Sequence, residues 1–90
     1  MRIEDRVAYP EGPLTLAVAA SVLIEGVTAV RAGATAFDLR GVTQVDSAAL
    51  SLLLSWRREA QSAAASLHFL HLPDSLRSLA RLYGLAELFD

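Results

Sequence analysis

Residues 37–56, with the sequence FDLRGVTQVDSAALSLLLSW, constrain the fold of this chain more than any other stretch. The pattern predicts a compact apolar strand, a short polar loop, and a helix that begins at Asp46–Ser47. Asp and Ser both accept hydrogen bonds from the free N–H groups at a helix start. One of them suffices as the cap, so the other side chain is left for a different role, such as a docking contact or a phosphorylation point.

The hydrophobic pattern around this stretch predicts strands that alternate with helices. Strands are predicted at residues 3–9, 14–18, 35–39 and 67–72, and helices at residues 21–31, 46–64 and 73–84. The first two strands are expected to form a hairpin at the sheet edge, and Ser21 is expected to cap the first helix. The order β-β-α-β-α-β-α predicts one α/β domain over residues 1–90, with an N-terminal hairpin and a mostly parallel central sheet.

Two core groups and one helix end follow from the same pattern. The first helix should turn one apolar stripe inward, formed by Leu23, Val27 and Val30. Gly33 should end that helix. The apolar tail is expected to pack back on the domain through Leu85, Leu88 and Phe89.

Composition excludes several classes of function. The chain has 90 residues, a net charge of −2 and no cysteine, so disulfides and thiolate metal sites are excluded. It has no basic run that would favour nucleic acid. It also lacks an apolar run of the roughly 18 residues that a transmembrane helix needs, and an N-terminal export signal. We therefore expect a cytoplasmic protein with no direct membrane insertion.

The residues of common catalytic sites are also missing. The five glycines are scattered, and none belongs to a phosphate-binding loop. His68 and His71 lie three residues apart on one predicted strand without cysteine partners, so we expect no metal site. No G-x-S-x-G nucleophile motif is present. These absences predict a protein that is not an enzyme and needs no cofactor.

The helix after the loop divides into three zones at 100° per residue. One zone is expected to face the sheet and contains Leu50, Leu53, Leu54, Ala60 and Ala64. A second is a small, hydroxyl-rich stripe formed by Ser47, Ser51, Ser55, Arg58 and Ser62. Leu52 is expected on the outer arc, and Trp56 at its border with the core. Two interpretations stay open: an ordinary solvent-facing side, or a close-fitting patch on which a partner docks with Leu52 and Trp56 as anchors.

The segment DLRGVTQVDSAALSLLL, residues 38–54, resembles the signature of STAS domains, in which a strand ending in D-L/F-S/R-x-V leads to V-D-S/T-x-G/A-L and an apolar helix. Two branches of that family compete. The short chain, the run VDSAALSLLLSWRREA and the ending LARLYGLAELF are similar to MlaB-like proteins. Anti-sigma-factor antagonists more often carry D-S-S/T-G-L, whereas this chain has Ala48-Ala49. The chain also has Ala17–Ala20 where STAS domains usually carry a glycine before the first helix.

The resemblance to MlaB implies a non-catalytic cytoplasmic subunit, peripheral to the inner membrane through its partners. It implies binding to the ATPase of an ABC phospholipid transporter (MlaF-like), with a permease (MlaE-like) and an MCE protein (MlaD-like), and a role in outer-membrane lipid asymmetry. The expected partner-binding residues are Arg40, Thr43, Gln44, Asp46, Ser47, Ser51, Leu52, Ser55 and Trp56. The alternative is an anti-sigma-factor antagonist regulated by phosphorylation of Ser47; a small-molecule or nucleotide sensor is a third hypothesis. An isolated copy could also self-associate through the same apolar face.

Overall fold

The computed structural model describes residues 1–89, which fold into six short strands and three α-helices. The strands are β1 (Arg2–Glu4), β2 (Val7–Tyr9), β3 (Gly12–Leu14), β4 (Ala36–Asp38), β5 (Val42–Val45) and β6 (His68–Leu70). The helices are α1 (Ala19–Arg31), α2 (Ser47–Ser62) and α3 (Asp74–Leu82). Two short 3₁₀ helices complete the described chain, at Leu16–Val18 and Ala86–Leu88.

The main sheet has the strand order β1-β2-β4-β6. β1 is antiparallel to β2, whereas β2, β4 and β6 are parallel neighbours. α1 connects β2 to β4 and α2 connects β4 to β6, as parallel strands require. The predicted α/β class, with an N-terminal hairpin and a mostly parallel sheet, is therefore confirmed.

The hairpin lies earlier in the chain than predicted. Residues 3–9 are not one strand, because the chain turns at Asp5 and Arg6, whose φ angles are 50° and 66°. This turn brings Glu4 opposite Val7 in β1 and β2. Both central residues of such a two-residue hairpin turn need positive φ, which usually favours Asn and Gly. The prediction missed the turn because Arg6 stands at the second position, where glycine is usual.

The second predicted strand, residues 14–18, was also wrong. β3 ends at Leu14, and it pairs in parallel with β5 in a separate two-stranded sheet, with Leu14 opposite Val45. Residues 16–18 form a 3₁₀ helix that leads into α1. β5 occupies the segment that we predicted as a loop. Its two central residues, Thr43 and Gln44, are both polar and exposed, so the segment lacks the alternation that predicts a strand.

α1 begins two residues before the predicted start. Ser21 does not cap it: the Ser21 hydroxyl donates a hydrogen bond to the Val18 carbonyl, 3.1 Å away. The inner stripe is as predicted, with Val30 buried and Leu23 and Val27 partly buried against the core. The end of the helix is also as predicted, because Gly33 adopts φ +103° and the Ala34 amide donates a hydrogen bond to the Ala29 carbonyl.

The centre of the core is a stack of two rings. The register places Phe37 of β4 next to Ala8 of β2 and Phe69 of β6, on one face of the sheet. The indole of Trp56 lies on Phe37, with ring centroids 4.4 Å apart and planes 6° from parallel. On its other side the indole contacts Gly26 of α1, and Nε1 donates to the Leu23 carbonyl at 3.2 Å. Trp56 therefore joins α2 to both the sheet and α1.

The last helix and the tail cover the remaining side of α2. Leu76 and Ala80 of α3 are buried, and the chain turns at Gly84, which has φ +71°. Phe89 is buried and meets Phe69 edge-on, with ring centroids 5.5 Å apart. The packing of the tail on the domain is confirmed, with Leu85 partly buried and Leu88 left more exposed.

Candidate functional site

An open groove of about 990 Å³ runs between the start of α1 and the first half of α2. Leu16, Ala19, Ala20 and Leu23 line one side of this α1–α2 groove. The other side is formed by α2, and the end of the groove by Tyr83 and Leu85. Among residues 1–89, Asp46 contributes the only carboxylate to its lining, and no Lys or Arg side chain lines it. The groove is thus apolar and nearly uncharged.

Asp46 and Ser47 have different roles at the start of α2. Asp46 is the cap: its Oδ1 accepts from the Ala48 amide at 2.8 Å, and its Oδ2 accepts from the Leu16 amide at 3.0 Å. Both carboxylate oxygens are therefore engaged inside the domain. Ser47, the first residue of the helix, is exposed on the groove, and no hydrogen bond of its hydroxyl is recorded among residues 1–89. The expectation that one of the two would remain available holds, and Ser47 is that residue.

Three of the predicted stripe residues stay together. Ser47, Ser51 and Ser55 are spaced one helical turn apart and all line the α1–α2 groove. Their small side chains project only a short way from the α2 backbone into the groove. A partner that enters the groove can therefore approach the α2 backbone closely.

The predicted surface positions of Leu52 and Trp56 were wrong. Leu52 is 3% exposed and Trp56 is 0% exposed. The buried positions of α2 are Ala49, Leu50, Leu52, Leu53, Trp56 and Ala60. This stripe faces both the sheet and α1, whereas the prediction had one sheet-facing zone that contained Leu50, Leu53 and Ala60 but not Leu52. Ala64 also fails as a core residue, because α2 ends at Ser62 and Ala64 is exposed with φ +55°.

The remaining predicted contacts lie on the approach to α2. Thr43 and Gln44 are exposed on β5, and Arg40 is exposed on the loop before it. None of these three residues lines the α1–α2 groove, so the structure divides the predicted site into a groove and a neighbouring polar segment.

Arg40 is held in place by a carboxylate that the sequence did not indicate. Asp38, which ends β4, is 2% exposed, and its Oδ2 lies 2.8 Å from Nη2 of Arg40. Burial by itself raises the pKa of the Asp38 carboxyl. The hydrogen bonds and charge of Arg40, together with the charge of His71, outweigh that effect and hold the pKa below its ordinary value.

Two apolar residues of the groove were also missed. Leu16 is 78% exposed and Tyr83 is 56% exposed, and both lie on the rim. Large apolar side chains that cluster on a surface are typical of interaction sites, whereas scattered ones are not. The local pattern did not single out Leu16, because it continues the alternation of Leu14 and Val18 and so resembles an inward-facing strand residue.

Two further features are missing from the part of the chain that the structure describes, a metal cluster and a membrane-spanning helix. Within residues 1–89, no three His, Cys, Asp or Glu side chains come together in a way that could hold a metal ion. No helix in the same range is long and apolar enough to cross a membrane.

Comparison with known proteins identifies the family. A family model described as "Mlab, STAS domain" matches residues 11–90. The chain belongs to the STAS-domain family. STAS domains are in general non-catalytic domains that bind partner proteins, and no curated protein matches this STAS domain by sequence.

Two solved structures share the fold of this STAS domain. The anti-sigma factor antagonist SpoIIAA in its unphosphorylated form is 20% identical, with a TM-score of 0.64 over 90% of this chain and 78% of that one. A sulfate transporter family protein from Wolinella succinogenes is 19% identical, with a TM-score of 0.66 over 100% of this chain and 76% of that one. At 20% and 19% identity, these likenesses establish the architecture alone.

Proposed function

We propose that this STAS domain, comprising residues 1–90, is a non-catalytic cytoplasmic subunit that binds and supports the ATPase of an ABC phospholipid transporter. The ATPase would be MlaF-like and would work with an MlaE-like permease and an MlaD-like MCE protein at the inner membrane. The match to the family model described as "Mlab, STAS domain" supports this branch. The observation that carries the proposal is the α1–α2 groove, an open apolar surface with the exposed Ser47 on it.

The proposed docking face combines the groove with the polar segment beside it. Ser47, Ser51 and Ser55 would meet the partner at short range, and Leu16 and Tyr83 would supply apolar anchors. The exposed residues Arg40, Thr43 and Gln44 would contact it at the rim. Trp56 is fully buried and would support the α2 backbone from beneath, whereas Leu52, which is 3% exposed, is part of the groove lining.

A single substitution tests this face. Ser47→Arg places a long charged side chain on the groove, where it has no carboxylate to pair with because both oxygens of Asp46 are engaged. We expect Ser47→Arg to abolish co-purification with the ATPase while the domain stays folded, as monitored by circular dichroism. The matched control is Ser78→Arg on α3, which adds the same charge at an exposed position outside the groove. Wild-type recovery of the ATPase with Ser47→Arg would show that the docking face is elsewhere.

The same co-purification distinguishes the alternative function. An anti-sigma-factor antagonist would retain a protein kinase instead of a transporter, and mass spectrometry would find phosphate on Ser47. The shared fold with SpoIIAA is the observation that keeps this alternative in the test. Retention of an ATPase together with its permease, and unmodified Ser47, supports the transporter subunit.

A further inference from the structure

A charged cluster lies at the carboxyl ends of two parallel strands, outside the α1–α2 groove. Asp38 is the last residue of β4, and His71 follows β6 directly. β4 and β6 are neighbours in register, with Asp38 opposite Leu70, so His71 comes close to the Asp38 carboxylate. Arg40 joins them from the loop after β4. We call these three residues the Asp38 cluster.

The Asp38 carboxylate is buried and surrounded by donors. Its Oδ1 accepts from the Arg40 backbone amide at 3.0 Å, and its Oδ2 accepts from Nε of Arg40, also at 3.0 Å. Both partner side chains are open to solvent, with 66% of the Arg40 side chain and 57% of the His71 side chain exposed. The buried Asp38 carboxylate therefore has two solvent-exposed partners, and the His71 ring can exchange protons with solvent.

His71 is aimed at this acid by an unfavourable backbone conformation. Its φ is +56°, a left-handed value that costs energy for a residue with a Cβ. In this conformation its Nδ1 lies 3.3 Å from Oδ1 of Asp38 and 3.4 Å from Nη2 of Arg40. One ring nitrogen thus faces both an acceptor and a donor.

That nitrogen cannot serve both neighbours at once. Without a proton, Nδ1 accepts a hydrogen bond from Arg40; with one, it donates to Asp38. When the ring is fully protonated, it also becomes a second cation beside the Arg40 guanidinium, and like charges at this distance repel. Histidine side chains commonly change charge within the physiological range of pH.

We propose that His71 is a proton-operated switch that competes with Arg40 for Asp38 and so sets the position of the Arg40 guanidinium. With the ring neutral, Arg40 lies folded back on Asp38 and His71. With the ring protonated, His71 takes over part of the carboxylate, and the Arg40 head moves outward into solvent. The net charge of the Asp38 cluster changes from zero to +1.

Few other titratable groups face the switch. Tyr9 lies at the carboxyl end of β2, near enough for its charge state to influence Arg40, and Arg2 of β1 stacks on the Tyr9 ring at 4.3 Å. Arg2 is itself paired with Glu4. Glu11 lies beside Gly41 in the neighbouring turn. Among residues 1–89, no charged group of α1 or α2 is recorded in contact with Asp38 or His71.

The switch gives the docking face a variable charge. Arg40 belongs to the rim of that face, so its outward position would present a guanidinium to an acidic side chain of the partner. This last step rests on the proposed function. The competition within the Asp38 cluster does not, because it involves this chain alone.

Nuclear magnetic resonance of the isolated 90-residue chain tests the competition. The ¹⁵N signal of Arg40 Nε and the ring carbon-bound protons of His71 are followed while the pH is lowered through the titration of His71. We expect the Arg40 Nε signal to shift with the same midpoint as the His71 ring. His71→Gln should remove that shift, and the matched control His68→Gln, on the exposed outer face of β6, should leave it unchanged.

Two results would overturn the switch: an Arg40 Nε signal that ignores the protonation of His71, or one that still shifts in folded His71→Gln. Because no partner is present, either result leaves the proposed function standing. Conversely, failure of Ser47→Arg to disrupt binding leaves the switch untouched.

Discussion

The indole of Trp56 lies between β4 and α1, and its position explains why α1 contains a glycine. A Cβ added at Gly26 would come within 2.1 Å of Cε2 and Nε1 of Trp56. Glycine in the middle of a helix is unfavourable by itself. Here its lack of a side chain allows the ring to lie flat against the α1 backbone and donate to the Leu23 carbonyl.

Gly26→Ala should therefore destabilise the domain although alanine favours helices. We expect the free energy of unfolding to fall by about 1–3 kcal/mol, the usual cost of overpacking a core. Urea unfolding followed by Trp56 fluorescence measures the change. Thr28→Ala, at an exposed position of the same helix, is the control and should stay within about 0.5 kcal/mol of wild type. A midpoint for Gly26→Ala at or above that of wild type would contradict the close contact.

At the scale of elements, Asp46 at the start of α2 connects two segments of the proposed site. Asp46 caps α2 and, through its second oxygen, also holds the amide of Leu16 at the start of the 3₁₀ helix. β3 and β5 pair directly before these two points. One carboxylate thus fastens together the two sides of the α1–α2 groove.

Removal of this carboxylate should loosen both elements. We expect Asp46→Ala to lower the free energy of unfolding by about 1–2 kcal/mol, the typical loss for an N-cap. Asp46→Asn should cost less, because an amide oxygen can still cap α2 although it serves one amide instead of two. Ser47→Ala should be nearly neutral, since no hydrogen bond of the Ser47 hydroxyl is recorded among residues 1–89. Equal stability of wild type and Asp46→Ala in chemical denaturation would argue against the double role.

Elements with a strong local signal could be predicted from the sequence, and the others could not. The buried strand β4, the capped start of α2 and the glycine-terminated end of α1 all carry their own residue signatures. The turn at Asp5–Arg6 and the pairing of β5 with β3 depend on contacts between distant segments, which a local pattern does not contain. Ser47 was identified because it adjoins a cap, whereas Leu16 and Tyr83 reach the same groove only after folding.

The orientation of α2 also shows what a local pattern cannot predict. A single sheet-facing zone contains Leu50, Leu53 and Leu54, and leaves Leu52 outside. The observed helix packs against the sheet on one side and α1 on the other, so its buried stripe widens and takes in Leu52 and Trp56. Helical spacing gives the faces of a helix, but it does not say how many neighbours the helix has.

For the molecule as a whole, Asp38 links stability to pH. Its pKa in the folded state lies below the ordinary value of 3.8. The folded state therefore holds its proton less tightly than the unfolded chain. The resulting stabilisation is fully present above about pH 4 and is lost as the pH falls through the lower, folded-state pKa.

Asp38→Asn should remove this part of the acid sensitivity. We expect the variant to be less stable than wild type at neutral pH by about 1–3 kcal/mol, because its hydrogen bonds to Arg40 lose their charge. The difference should shrink as urea unfolding is repeated down to about pH 2. Glu87→Gln, which changes an exposed acid, is the control and should follow the wild-type profile. A constant difference between Asp38→Asn and wild type at every pH would contradict the assignment.

The short ladder between β3 and β5 also limits how the domain can move. The two rims of the α1–α2 groove leave this ladder side by side, at Leu16 and Ser47, and the Asp46 carboxylate bridges them at once. A partner that widens the groove must therefore release the ladder and both amide contacts in one event. The amide hydrogens of Leu16 and Ala48 would then exchange with solvent at a common rate, and an occupant of the groove would slow both together.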